Sequence, residues 1–273
     1  MNTSELRKLT DEVVSIVKEA GEIVLEIYSK DHKNIQKKSD SSPLTEADTL
    51  ANNFIISKLN SLELKFPIIS EETTLPPFST RSKWKYYWLI DPLDGTKEFI
   101  NKNGEFTINV SLVSGDKSII GVVFAPVFDT LYFASLGNGA YKKKFLSNQE
   151  VKIKVKSFER SSFVIANSRS HKNDDFNKFV YLLEKNNDIN VIIKPMGSSL
   201  KICEVADGLV DMYPRLGPTS EWDIAAANCV LAEAGGYILD LSTKQFLKYN
   251  TKESIINSSF VATYVDQKWY TKN

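Results

Sequence analysis

WLIDPLDGTKEF, residues 88–99, is an apolar, strand-like run that stops on two aspartates, with a proline, a glycine and a threonine set around them. Buried charge is costly unless it is paired. Asp91 and Asp94 therefore either sit in a solvated turn or hold something positive. Pro92 fixes φ and helps the chain turn straight after the strand. Asp91 and Asp94 can then address one space, with the Leu93 carbonyl between them as a third oxygen. Gly95 lets the backbone approach a ligand closely, and Thr96 adds a hydroxyl. A short helix beginning here would also offer free N–H groups to a phosphate.

Further acids flank this stretch. Glu71 and Glu72 follow the short apolar strand PIIS, Asp48 opens a helical pattern, and Asp223 precedes an alanine-rich one. Strand ends at one sheet edge could bring Glu71, Asp91 and Asp94 together. Carboxylates at close range raise each other's pKa, and a divalent cation removes that cost. An oxygen-only set selects Mg²⁺, Mn²⁺ or Ca²⁺ over zinc. Each feature alone has a plainer reading. Asp-Gly is a common turn, Asp223 suits a helix N-terminus, and Glu71–Glu72 suits a solvated loop.

Working outward, apolar residues at steps of three and four predict a long amphipathic helix over 4–29 and a second over 47–62. Strands are expected at PIIS (67–70), YYWLI (86–90), FTINVSLV (106–113), SIIGVVFAP (118–126), TLYFAS (130–135) and VKIKVK (151–156). In FTINVSLV, Phe106, Ile108, Val110 and Leu112 share one face. KKK (142–144) reads as a solvated turn. Further on, SSFVIANS, VIIKP and LVDMY read as strands, GSSLKICEVADG as helical up to Gly208, and WDIAAANCVLAEAGG as a helix. Strands and helices mix without a simple βα repeat. We expect an α/β protein of two halves, residues 1–155 and 156–273, sharing one cleft.

The composition narrows the function. In 273 residues, 34 basic side chains balance 34 acidic ones, which argues against broad binding to a nucleic-acid polymer. Cys203 and Cys229 form no CxxC pair, so a thiolate zinc or redox site is not expected. No run approaches the ~18 apolar residues of a membrane helix. With no apolar leader at the N-terminus and two cysteines suited to a reducing compartment, we expect a cytoplasmic protein. Neutral charge allows only loose peripheral contact with the inner membrane face.

The joint pattern resembles one family. DPLDGT (91–96), WDIAAA (222–227) with AGG (234–236), SEE (70–72) and SPLTEAD (42–48) are similar, in order, to the motifs of the inositol monophosphatase superfamily of lithium-sensitive, metal-dependent phosphatases. Within it, DPLDGTKEFINKNGEFTIN (91–109), SRSH (168–171), GSSLK (197–201) and YPRLGPTSEWD (213–223) resemble the bacterial 3′(2′),5′-bisphosphate nucleotidase branch.

That resemblance implies a layered αβαβα sandwich. It implies hydrolysis of 3′-phosphoadenosine 5′-phosphate to AMP and phosphate by a metal-activated water, linked to sulfate assimilation. It implies two or three Mg²⁺ ions per site, with Glu71, Asp91 and the Leu93 carbonyl holding one and Asp91, Asp94 and Asp223 a second. Asp48 would assist a further ion or its water, and Thr96 paired with Asp48 would orient the attacking water. Gly95, Thr96, His171, Ser198, Ser199, Lys201 and Arg215 would surround the small-molecule nucleotide. Lys97 and Glu98 could line the same site, and His32 has no specific role. The oligomeric state is open between monomer and homodimer. An inositol monophosphatase or fructose-1,6-bisphosphatase would use the same metals with a different pocket rim. A non-catalytic nucleotide- or metal-binding regulator is the alternative of another class.

Overall fold

The protein is seen in a computed structural model that describes residues 1–30, 36–37, 43–44, 46–157, 163–169 and 174–270. The chain opens with α1 (Thr3–Tyr28). Asn2 Oδ1 accepts from Glu5 N at 2.9 Å and Glu5 Oε2 accepts from Asn2 N at 2.8 Å, so two otherwise orphaned N–H groups are satisfied reciprocally. A two-residue antiparallel pair, β1 (Gln36–Lys37) and β2 (Pro43–Leu44), leads to α2 (Glu46–Ser61).

A seven-stranded sheet follows. It contains β3 (Ile68–Ser70), β4 (Tyr86–Asp94), β5 (Thr107–Ser114), β6 (Lys117–Ala125), β7 (Thr130–Ser135), β8 (Gly139–Lys144) and β9 (Gln149–Ile153), in chain order across the sheet. Only β3 and β4 run parallel; between them lies the short α3 (Phe78–Arg81), and between β4 and β5 the short α4 (Thr96–Ile100). The remaining residues build a five-stranded sheet of order β11-β10-β12-β14-β13. Its strands are β10 (Phe163–Ser168), β11 (Val191–Met196), β12 (Met212–Arg215), β13 (Tyr237–Asp240) and β14 (Phe260–Thr263). The helices α5 (Asp174–Asn187), α6 (Leu200–Ala206) and α7 (Glu221–Glu233) interleave with them.

Three apolar clusters glue five layers. Val13, Val17 and Val24 of α1 and Ile55 of α2 pack on Trp88, Ile90, Val110 and Val122 of the larger sheet. The other face of that sheet, with Leu89, Val113 and Val123, meets α6 and α7, which in turn meet Tyr213, Phe260 and Ala262 of the smaller sheet. Phe176, Val180 and Leu183 of α5 close the far face against Phe163, Ile165 and Val261. The result is the expected αβαβα sandwich. The alanines of α7 have a steric cause: a methyl at Gly121 of β6 would stand 2.1 Å from the Ala226 carbonyl oxygen. Helix and strand approach so closely that only small side chains fit.

Several boundaries differ from expectation. The strand at 151–156 is instead β9, ending at Ile153 and nearly all exposed. KKK (142–144) is the end of strand β8, where Lys142 pairs with Asp207 at 2.6 Å and Lys143 with Glu150 at 3.2 Å. The strand expected at 209–213 starts only at Met212, because Leu209 N and Val210 N both donate to Glu204 O and close the end of α6. α6 itself starts at Leu200, after a turn in which Ser198 has φ +50°. On β5 the predicted apolar face is in the core, but Thr107, Asn109 and Ser111 on its other face are buried too. Among the described residues no helix is long and apolar enough to cross a membrane.

Candidate metal and phosphate site

Glu71 follows the end of β3, Asp91 lies near the end of β4, and Asp223 lies in the first turn of α7. One carboxylate oxygen from each lies within 4.8 Å of the others. The local folding is simple. β3 and β4 are parallel, so their C-terminal ends meet at one edge; Glu71 N donates to Ile90 O at 3.1 Å. After Asp91 the register with β5 shifts, and Asp91 Oδ1 accepts from Leu93 N at 3.0 Å, turning the chain back. On α7, Ser220 is the N-cap and Asp223 completes a capping box, its Oδ2 accepting from Ser220 N at 2.9 Å. Asp223 thus caps its helix and stands among the carboxylates at once.

Asp94 stands outside that three-carboxylate set. Its Oδ2 accepts from Ser199 N at 2.6 Å. Burial pushes its carboxyl up to about 6, Lys201 and the Ser199 N–H pull it down, and Glu71 and Glu98 push it up. Asp223 is pushed well above the usual range, first by burial and then by Asp94 and Glu71. Leu93 has a buried side chain, and Asp48 is buried in the first turn of α2, which packs on β4.

Asp94, Gly95, Thr96, Ser198, Ser199, Lys201, Arg215 and Asp223 all line one cavity of about 280 Å³. Lys97 and Glu98 line it as well. Gly95 has φ +95° at the start of α4. Lys201 is buried; its Nζ donates to Ser198 O at 2.6 Å and lies 5.1 Å from the Tyr213 ring centre. Burial lowers its pKa to about 8, opposed by Asp94. Arg215 Nη2 donates to Pro218 O at 2.8 Å, while its buried Nε has no partner among the described residues. His171 and His32 lie outside the described residues. A larger cavity of about 940 Å³ opens beside the second half of α7, and none of the residues singled out above for a site role lines it.

The donor chemistry fits a hard divalent cation. The set is all oxygen, its members repel one another, and burial makes that repulsion expensive. A test follows from the sign of the Asp94 shift. Its folded pKa of about 6 exceeds the unfolded value of about 3.9. Between the two the folded state binds more protons, so stability falls as pH rises, and the full penalty stands above about 6. In EDTA, the thermal midpoint should fall across this window more steeply in the wild type than in Asp94→Asn. Equal slopes would show that Asp94 carries no such burden.

Sequence reasoning gave no role to Tyr213 and Thr219, which line this cavity, or to Glu105 and Arg169, which pair with each other beside the lining residue Gly197. For Thr107 and Asn109 a signal existed: an apolar strand whose alternate face is polar but has few charges. That face is spent on Ser199, whose Oγ donates to Asn109 Oδ1 and lies 2.8 Å from Thr107 Oγ1.

The chain matches the inositol monophosphatase family over residues 5–272. It is 41% identical over 260 residues to the Buchnera aphidicola protein named 3′(2′),5′-bisphosphate nucleotidase CysQ, covering 94% of each chain. The Escherichia coli K12 protein of the same name is 37% identical over 253 residues, 92% of this chain and 98% of that one. Among solved structures, CysQ from Bacteroides thetaiotaomicron superposes with a TM-score of 0.82 at 36% identity, covering 94% of this chain and 97% of that one. The Thermotoga maritima IMPase gives 0.75 at 25% identity, over 93% and 91%. Matched from near its first residue to near its last, the chain belongs to the inositol monophosphatase family.

Proposed function

We propose that this chain is a 3′(2′),5′-bisphosphate nucleotidase. It hydrolyses 3′-phosphoadenosine 5′-phosphate to AMP and phosphate, with Mg²⁺ as cofactor, two or three ions per site, and so clears a by-product of sulfate assimilation. One observation carries the reading: Asp94 and Asp223 line the same small cavity as Lys201 and Arg215. Acids that suit a cation at a scissile phosphate thus stand beside fixed cations that suit a second phosphate. An inositol monophosphate has no second phosphate to use them. Fructose 1,6-bisphosphate has one, and there the names of the relatives favour the nucleotide.

Glu71, Asp91 and the Leu93 carbonyl would hold one ion; Asp91, Asp94 and Asp223 would hold another. Bound there, the ions supply charge neutralisation at the phosphoryl oxygens and a lower pKa for water. Phosphoryl transfer needs chiefly positioning and electrostatics, so no covalent nucleophile is required. Thr96 Oγ1 orients the attacking water and passes its proton toward the Asp48 carboxylate, because a hydroxyl alone is a poor base. The water oxygen joins phosphorus as the bond to the ribose oxygen breaks, and the ribose oxygen takes a proton from a second water to leave as the hydroxyl of AMP. Ser198 and Ser199 present the turn that borders the sugar, Lys201 offers a point charge and Arg215 a planar fork to the second phosphate.

The test is phosphate release by purified protein with Mg²⁺ from 3′-phosphoadenosine 5′-phosphate, inositol 1-phosphate and fructose 1,6-bisphosphate, each with and without EDTA. Preference for the nucleotide, lost in EDTA, is the expected result. Preference for either of the others would overturn the substrate and keep the metal chemistry. Tight nucleotide binding without release would favour a regulator.

A further inference from the structure

We propose that Glu105, acting with Arg169, is a positioning residue that sets where Asp94 stands relative to the Glu71, Asp91 and Asp223 carboxylates. The proposal rests on the reading of Asp94 as a cation ligand.

Glu105 lies in the connection between α4 and β5, and its carboxylate reaches across to the smaller sheet. Oε2 accepts from Gly197 N at 2.9 Å and from Arg169 Nε at 2.9 Å; Oε1 accepts from Arg169 Nη2 at 2.7 Å. Arg169 in turn donates through Nη2 to Pro195 O at 3.1 Å and through its backbone N to Met196 O at 3.2 Å. One carboxylate therefore grips the ends of both β10 and β11 and the turn that follows. That turn packs closely on the α4–β5 connection: a Cβ on Gly197 would stand 2.5 Å from Glu105 O and 2.8 Å from Glu98 Cγ. Ser198 holds a left-handed φ of +50°. The next N–H, that of Ser199, meets Asp94 Oδ2. Fixing Gly197 thus fixes the donor that fixes Asp94.

A purely stabilising ion pair is the competing explanation. Arg169 is 45% exposed, and pairs at that exposure contribute little, about 0–1 kcal/mol. The geometry here is a bidentate fork plus a backbone N–H, which specifies orientation more than it adds energy. Glu105, Arg169 and Gly197 come from GEF, SRSH and GSSLK, three stretches far apart in the chain. The structure gives them one joint task.

The experiment is a double-mutant cycle on the full chain with Glu105→Gln, Arg169→Gln and the pair. Mn²⁺ affinity is read by calorimetry without substrate, alongside KM, kcat and the thermal midpoint. Outer partners of metal ligands typically contribute about 10–100-fold to affinity. We expect Glu105→Gln to weaken Mn²⁺ binding and raise KM, each about tenfold, with a midpoint within a few degrees. The double variant should match Glu105→Gln, because the two residues act as one unit. Wild-type Mn²⁺ affinity and KM in Glu105→Gln would overturn the proposal, as would losses that multiply in the double variant. If Glu105→Gln does not fold, Arg169→Gln carries the same readings, since its side chain is nearly half exposed and stands outside the core. A wild-type protein that binds no Mn²⁺ would overturn the ligand reading of Asp94 and this proposal with it.

Discussion

Asp91→Asn should lower phosphate release by about a thousandfold and leave the fold standing. The asparagine is nearly the same shape, and its Oδ1 can still accept from Leu93 N, so the turn after β4 survives. What disappears is one negative charge from a set whose members lie within 4.8 Å of one another. A cation held there is worth several kcal/mol of transition-state charge, and about 4 kcal/mol is roughly a thousandfold. The check is kcat at saturating Mg²⁺, with metal affinity by calorimetry and the circular dichroism spectrum as control. Activity within tenfold of wild type would remove Asp91 from the reaction.

The largest stability effect is expected away from the carboxylates, at Arg81. This guanidinium is fully buried. Nη1 donates to Asn250 Oδ1, and Nη2 donates to the carbonyls of Glu253 and, at 2.9 Å, Lys252. Asn250 answers through Nδ2 to Arg81 O at 2.7 Å, and its backbone N donates to both oxygens of the buried Glu221. Arg81 so ties the segment between β3 and β4 to the chain around 250 and, through it, to the start of α7. Arg81→Met fills much of the volume but strands several acceptors and takes a cation from beside Glu221. The expected loss is about 3–5 kcal/mol, a fall in thermal midpoint on the order of 10 °C. Arg81→Lys should recover only part of it, because an ammonium cannot reproduce the planar fork. A loss below about 1 kcal/mol would show that the network is dispensable.

How much of this the sequence disclosed depends on range. β4 and its motif were readable because an apolar run, a proline and two acids are neighbours in the chain. α7 was readable from its alanines and terminal glycines, and α1 from its long apolar stripe. The layered sandwich came from family resemblance, not from periodicity. Lys142–Lys144 look like a turn because lysine is a poor strand former, yet β8 is paired on both sides and tertiary pairing overrides propensity. The polar, nearly uncharged face of β5 hinted that Thr107, Asn109 and Ser111 are buried, but their partners Ser199 and Ser118 were not readable from it. Glu105 lies in a stretch that carries the family resemblance, but its task was not readable there, since its partners Arg169 and Gly197 follow β10 and β11 much later in the chain.

The three converging carboxylates also say something about synthesis. Glu71 and Asp91 belong to the larger sheet, but Asp223 arrives on a helix wedged between the sheets. A chain growing from its N-terminus can pair β3 with β4 early and still lack the third carboxylate. The complete set exists only after α7 has been made and has docked. A cation that needs all three carboxylates would therefore report that α7 has docked between the sheets, and a product truncated before α7 would fail to bind it.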